Sequence, residues 1–348
     1  MSGLPALYED DGRAIATHSM LKTFRRCPKQ TDYKYFQRLK PKVLGKPLRQ
    51  GTWMHRLQEV HYRGGDWKEE HKLLSAKFNE LFDEERDAIG DLPRECARMM
   101  QSYLWHYQND NWKVHDVEFI LETTFPDGTI YRAKIDLLVE DQYGLWLVDH
   151  KWHKSLPNLE YRVLDSQSGL YVWAARRCGI PVQGHIWNYG VRRAPSIPQL
   201  LKNGTRLSRR RIDTDYPTMV RAIKRHDLDP KPYAAELRRL KAQKYQFGEI
   251  QTSPFFKRSI LEMHPEMLKQ TAREAYHTAK RMNEYDFSRT EFVERVPDRS
   301  CSFMCAYAGI CSLELFGGDT RNMRKERFRI ADPLDYYNDD PRDPEADT

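Results

Sequence analysis

Nowhere does this chain approach the roughly 20 consecutive apolar residues that a helix needs to cross a bilayer, so no membrane span is expected from its 348 residues. The opening MSGLPALYEDDGRAIATHS holds no basic segment followed by an apolar one. An export signal is therefore not expected, and the cytoplasm is the expected compartment. Cysteine is scarce, with six residues at 27, 96, 178, 301, 305 and 311. In a reducing compartment these are expected to be thiols, and a clustered subset reads as metal-binding before it reads as a disulfide framework. No internal repeat or low-complexity array is visible. With 40% hydrophobic and 31% charged residues, the composition is that of a globular protein, and the length accommodates one core domain with additions.

Charge is present but segregated. The net value of +7 hides two basic blocks: Lys22 to Arg49 has ten basic residues against the single acid Asp32, and Arg192 to Lys244 has fifteen against five, with Arg209, Arg210 and Arg211 in a row. The last segment, ADPLDYYNDDPRDPEADT, is acidic and rich in Asp and Pro, so residues 331–348 are expected to form a disordered tail. Any one basic run is commonly a solvated helix face. Two of them, with Phe24, Tyr33, Tyr35 and Phe36 interleaved, favour a polyanion, and nucleic acid is the expected partner.

The pattern of elements runs from helices to strands. Helices are expected over Ser19 to Tyr35, from near Gly51 through TWMHRLQEVHY, from Trp67 to Asp87, and from Arg94 to Asn109. Three β-rich runs follow, Glu118 to Phe125, Ile130 to Glu140 and Gly144 to Trp152, separated by PDG and DQYG, and these predict an antiparallel meander. Alternation places Tyr131, Ala133, Ile135, Leu137 and Val139 on one face of the second run and Arg132, Lys134 and Asp136 on the other. In the third run Leu145, Leu147, Asp149 and Lys151 share a face. A helix over Leu164 to Arg177 and the strand GHIWNYGVR complete a crossover. Residues 194–250 read as a basic helical insertion, and a helix from Met267 to Met282 precedes the last cysteines.

Asp136, Asp149 and Lys151 form D-x12-D-x-K across two neighbouring strands. Two carboxylates so placed can hold a hard cation such as Mg²⁺ or Mn²⁺ while leaving positions for water and phosphate. The lysine ammonium can orient or deprotonate water, or neutralise charge growing on phosphate. Acid-x-Lys alone is common on solvated sheet faces. Here it occurs downstream of His55, whose imidazole can complete a metal shell, and upstream of Gln167 and Tyr171, which sit one helical turn apart and face the same way. His150, by alternation, points away from Asp149 and Lys151.

In this order of elements the chain resembles the RecB-like branch of the PD-(D/E)xK nuclease superfamily, which includes CRISPR-associated and phage-encoded exonucleases. The resemblance spans roughly 19–190 and 254–318. It implies metal binding by His55, Asp136 and Asp149, a catalytic role for Lys151, and support of site and substrate by Gln167 and Tyr171. The spacing Cys301-x3-Cys305-x5-Cys311, with Cys27 far upstream, provides soft ligands suited to an iron–sulfur cluster or to zinc. The split of one N-terminal and three C-terminal cysteines resembles the 4Fe-4S staple of the same branch. Cys96 and Cys178 read as small core residues.

The expectation is therefore an α/β restriction-endonuclease-like core with a mixed central sheet flanked by helices, making one nuclease domain over 1–330. The expected activity is metal-dependent DNA exonuclease action on single-stranded or frayed ends. The alternatives are a structure-specific endonuclease and a non-catalytic DNA-binding adaptor in recombination. Arg209, Arg210, Arg211, Lys257 and Arg258 are the expected nucleic-acid contacts, because Lys and Arg meet phosphates while the rings of Phe255 and Phe256 stack on bases or pack in the core.

Overall fold

The computed structural model describes residues 7–9, 11–157, 164–202, 204–208 and 212–338. The chain enters through a short strand, β1 (Ile15–Ala16), and a helix, α1 (His18–Arg26). Thr17 caps α1, its hydroxyl accepting from the Met20 backbone N–H at 3.2 Å, so the helix begins ahead of the expected Ser19 cap. It also ends early. Cys27 is extended at φ −164° and ψ 111°, as the residue before a proline prefers, and Pro28 opens a second short helix, α2 (Pro28–Thr31), that continues into a π-helical turn at Asp32–Phe36. The single helix expected up to Tyr35 is thus broken at the cysteine.

Strand β2 (Leu39–Pro41) leads to four helices: α3 (Lys46–Tyr62), α4 (Trp67–Asn79), α5 (Asp83–Ile89) and α6 (Leu92–His106). The helix expected from Trp67 to Asp87 is two helices, and α3 begins before Gly51, with Pro47 in its first turn. The meander then appears as β3 (Lys113–Thr124), β4 (Ile130–Asp141) and β5 (Gly144–His153). Helix α7 (Ser166–Arg177), capped by Asp165, carries the chain over to β6 (Gly184–Val191), parallel to β5. After α8 (Tyr216–Arg225) and α9 (Ala234–Lys241), strand β7 (Phe256–Glu262) joins β6 antiparallel. Helices α10 (Pro265–Asn283), α11 (Ala308–Leu315) and α12 (Arg321–Arg327) follow, and β8 (Phe328–Ile330) returns to pair with β2.

The sheet is mixed, and its pairing decides where the chemistry sits. One edge of β4 is zipped to β3 from Thr124↔Ile130 to Lys113↔Glu140. The other edge is shared, with β1 parallel at Ile15↔Ile130 and β5 antiparallel from Asp141↔Gly144 only as far as Leu137↔Val148. Among the described residues no strand pairs with that edge between Arg132 and Asp136. The two strands therefore part where Asp136 and Asp149 begin.

Helices cover both faces. On one, Leu170, Ala174 and Ala175 of α7 and Ala275 and Ala279 of α10 pack with Met20 and Leu21 of α1 against Ile135, Leu138 and Leu147. On the other, Met54 and Leu57 of α3 pack with Met99, Met100 and Tyr103 of α6, while Tyr62 covers Leu137, Val139 and Val148. Ile135 and Leu138 thus join one cluster, and Leu137 and Val139 another. The unbroken alternation expected from Tyr131 to Val139 changes phase at Asp136. Opposite it, Glu118 takes a left-handed conformation, φ +52°, a local kink of the kind that re-aims side chains beside a site.

Within 194–250, α8 and α9 make a small core of their own from Leu207, Met219, Ile223 and Leu240. The acidic C-terminal segment does not detach at 331. Leu334 is buried, and the Tyr336 carbonyl accepts from Lys134 Nζ at 3.1 Å; residues 339–348 lie outside the described residues.

Candidate active site

Parting the strands leaves backbone groups that side chains must satisfy. Asp136 does this for β5, its Oδ2 accepting the His150 backbone N–H at 2.7 Å. The carboxylate is thereby fixed beside the start of the D-x-K element. Asp149 Oδ1 accepts from Gln167 Nε2 at 2.7 Å, and that same nitrogen donates to the Tyr171 hydroxyl at 3.0 Å. Asp149 Oδ2 lies 2.5 Å from Lys151 Nζ. The i,i+4 pair on α7 and the i,i+2 pair on β5 form one connected network, as their spacing suggests.

His55 reaches the site from α3, its Nδ1 3.5 Å from Asp136 Oδ2. The third member of this group has no counterpart in the sequence reading: ligand atoms of His55, Glu118 and Asp136 all lie within 4.8 Å of one another. Glu118 was legible only as the first residue of a strand. Its role depends on the kink and on the β3–β4 register, which no local pattern reveals. The donor set, one imidazole and two carboxylates with Asp149 adjacent, suits Mg²⁺ or Mn²⁺.

Protonation follows from burial. Burial pushes Glu118 up to about 8, with Asp136 adding repulsion. Burial lifts Asp149 to about 6, Asp136 again contributing. Asp136 is itself raised by burial. Three crowded acids with too few counter-charges are what a divalent cation relieves. Burial, with Lys151 nearby, lowers His55 to about 4, leaving a neutral imidazole able to ligate. Burial would also lower Lys151, but Asp149 and Asp136 override it and hold the ammonium above its ordinary value. In the metal-free site the lysine is thus held as an ammonium.

His150 points the other way, as alternation predicts. Its ring stacks on Tyr62 at 5.6 Å, and its Nδ1 lies 3.1 Å from Asn188 Nδ2 and 3.3 Å from Gln58 Nε2. Its backbone serves the site while its side chain fastens β5 to the α3 side.

The cysteines converge from both ends of the chain. Burial raises the Cys305 thiol, and Cys301 and Cys27 lie near enough to add to the effect, while Arg26 opposes it. Cys305 and Cys311 pack on the same cluster, Tyr33, Leu39, Tyr307, Ile310 and Phe328, and Arg295 bonds Cys311. The junction of α1 and α2 is tied to this region by Lys29 N–H to the Glu294 carbonyl at 3.0 Å and by Arg26 Nη2 to Ser300 Oγ at 2.6 Å. These thiols, with arginines around them, fit an iron–sulfur cluster, which their bound thiolates would make anionic. Cys96 is buried as expected; Cys178 is exposed at the end of α7, a correction to its reading as a core residue.

The expected nucleic-acid contacts fare unevenly. Arg258 is buried, paired with Asp110 through Nη1 at 2.6 Å, and enclosed by the rings of Tyr107, Trp112 and Tyr245. It is a structural cation, unavailable to a phosphate. Phe255 and Phe256 are core residues. Lys257 is half-buried on β7, and Arg209, Arg210 and Arg211 lie outside the described residues.

A family model described as the PD-(D/E)XK nuclease superfamily matches residues 16–312. Among solved structures, one from Eubacterium rectale provisionally described as an exonuclease is similar at 14% identity and a TM-score of 0.36, covering 69% of this chain and 84% of that one. No curated protein matches the chain. In the described residues, no helix is long and apolar enough to cross a membrane.

Proposed function

Because this chain belongs to the PD-(D/E)XK nuclease superfamily, we propose that it is a metal-dependent DNA exonuclease acting on single-stranded or frayed ends and carrying a structural 4Fe-4S cluster. The observation that carries the reading is the convergence of His55, Glu118 and Asp136 beside the Asp149–Lys151 pair, where the sheet opens between β4 and β5. His55, Asp136, Asp149 and Glu118 would hold Mg²⁺ or Mn²⁺. Bound there, the cation supplies Lewis-acid polarisation of the scissile phosphate.

The chain's own residues do the remainder. Lys151, kept cationic by its neighbours, neutralises charge that grows on the phosphate oxygens. Gln167 holds the Asp149 carboxylate in orientation and is itself held against Tyr171. The Asp136 carboxylate is fixed by the His150 N–H. Cys27, Cys301, Cys305 and Cys311 would hold the cluster and clamp the two ends of the nuclease core together, so the cluster acts on stability more than on the reaction. DNA, preferably single-stranded, and not a membrane, is the proposed partner; the nucleic-acid substrate that the family implies and the basic blocks support it. The cytoplasm is the proposed compartment.

End-labelled linear single strands and closed circular single strands, each incubated with Mn²⁺, Mg²⁺ or EDTA, test the mode of action. Release of short labelled products from the linear form, with the circle intact, is expected. Cleavage of the circle would replace the exonuclease by an endonuclease.

A further inference from the structure

Helices α6 and α8 face each other across an open cleft of about 400 Å³, lined by Arg98 and Gln101 from α6 and by Arg221 and Arg225 from α8, with Ile197 and Thr218 beside them. Two of the guanidinium groups are held by neutral acceptors. Arg221 Nη1 donates to Gln101 Oε1 at 3.0 Å and its Nη2 to Thr218 Oγ1 at 3.2 Å, while Arg98 donates to the Pro195 carbonyl. Among the described residues none of the three forms an ion pair. Arg94, one turn before Arg98, adds a further positive charge and reaches Asp91 only at 3.9 Å.

Folding alone does not account for this grouping. Like charges one turn apart, as in Arg94 with Arg98 and Arg221 with Arg225, disfavour each helix, and placing Arg98 across one cleft from Arg221 and Arg225 adds repulsion between helices. Burial and then the proximity of Arg94 and Arg221 lower Arg98 from its ordinary value despite Asp215 and Glu95 nearby. The room available matches that of a small-ligand site. Planar guanidinium groups arranged around such a space suit phosphate oxygens, which accept paired N–H bonds. Repetition along two helices suits a ligand with repeated phosphates.

We propose that this cleft is an exosite for the phosphodiester backbone of nucleic acid, distinct from the residues that perform the reaction and holding the strand on which they act. The inference rests on the nuclease reading for its substrate. It assigns the basic insertion a defined task, performed jointly by α8 and the core helix α6. Recognition is of phosphate through the guanidinium groups and not of base identity; the rest of the lining is apolar, from Ile197, Ala222 and the arginine stems.

The test is binding of a fluorescent single strand of about 30 nucleotides, long enough to follow an extended basic surface, by fluorescence anisotropy in EDTA over a salt series. The proteins are wild type, the triple variant Arg98→Ala, Arg221→Ala, Arg225→Ala, and the same triple variant with Lys. In parallel, Mn²⁺-dependent turnover of the small diester bis(p-nitrophenyl) phosphate is measured with the same proteins. The alanine variant is expected to bind roughly tenfold or more weakly near physiological salt, with the log–log salt slope reduced by about 2. The lysine variant restores the slope, and small-substrate turnover is unchanged in both. An unchanged slope in the alanine variant, or an equal loss on the small substrate, overturns the exosite. Wild type that binds the strand with this slope and cleaves neither substrate would count against the nuclease reading and leave the exosite standing.

Discussion

Lys151 and Glu118 show how burial sets chemistry at the level of single side chains. Two carboxylates hold the lysine as a cation, so its removal deletes a positive charge where the proposed reaction would build negative charge. Lys151→Ala is expected to lower kcat about 10²- to 10³-fold with little change in KM, as for other groups that act mainly in the transition state. Glu118 carries the opposite burden. Its folded value of about 8 stands above the ordinary 4.5, so the native state holds a proton that the unfolded state has released. The stability gained from it is complete below 4.5 and lost as pH rises through about 8. Buried neutral histidines such as His55 act in the opposite sense below about 6.5, so the Glu118 contribution is read as a difference. The Tm of metal-free wild type relative to Glu118→Gln should fall between 4.5 and about 8, and a difference that rises over that window in EDTA would contradict the assignment. Glu118→Gln is expected to weaken Mn²⁺ binding by roughly 10- to 100-fold in calorimetry, with the fold intact. In the sequence, Asp136, Asp149, Lys151, Gln167 and Tyr171 were legible because strand and helix periods bring them together. Glu118 was not, because a left-handed backbone and a cross-strand register put it there.

At the scale of elements, the junction of α1 and α2 is where the N-terminal and C-terminal parts of the chain meet. Lys29 is buried with Nζ 3.0 Å from Asp32 Oδ2, and the same Nζ donates to the Thr290 carbonyl at 2.6 Å. Tyr33 donates to Glu314 Oε2 at 2.6 Å. The basic block from Lys22 to Arg49 is thus partly internal, and only its outward members can serve a polyanion. Asp32→Ala would leave the buried Lys29 ammonium with Glu314 Oε2, at 3.7 Å, as its remaining carboxylate, and a loss of about 1–3 kcal/mol in chemical denaturation is expected; a loss within experimental error would mean that Glu314 takes over the charge. The break of the expected Ser19–Tyr35 helix at Cys27–Pro28 belongs to the same junction. Periodicity reads through such a break because apolar spacing on both sides still fits a helix, whereas the proline and the extended cysteine decide the geometry. The second and third strands of the meander were legible to within a residue, since turn residues bound them, whereas β3 begins at Lys113, five residues ahead of the expected Glu118.

For the whole molecule, the work is proposed to be divided: the thiols of Cys27, Cys301, Cys305 and Cys311 would hold the chain closed, and hydrolysis would occur at the opening between β4 and β5. Protein purified without oxygen is expected to be coloured by visible Fe–S absorption. Cys27→Ser or Cys305→Ser should lose that absorption and lower the Tm by several degrees, since each ends a clamp between distant parts of the sequence. Retained absorption in both variants would remove these cysteines from the ligand set. A shared site for one early and three late cysteines rests on spacing and family resemblance and stands as a proposal; the burial of Arg258 in an aromatic box with Asp110 was not legible, because nothing local distinguishes a cation facing DNA from one enclosed by rings.

The central claim is that the residues meeting at the parted strands form a metal-dependent hydrolytic site for DNA. Its most direct measurement is Mn²⁺-dependent loss of end-labelled single-stranded DNA by wild type beside Asp149→Ala and Lys151→Ala, with folding of each variant checked by its melting curve. Hydrolysis by wild type that EDTA stops and both substitutions abolish is the predicted result. Hydrolysis that survives either substitution in a folded variant, or its absence from the intact, cluster-loaded protein, would contradict the account.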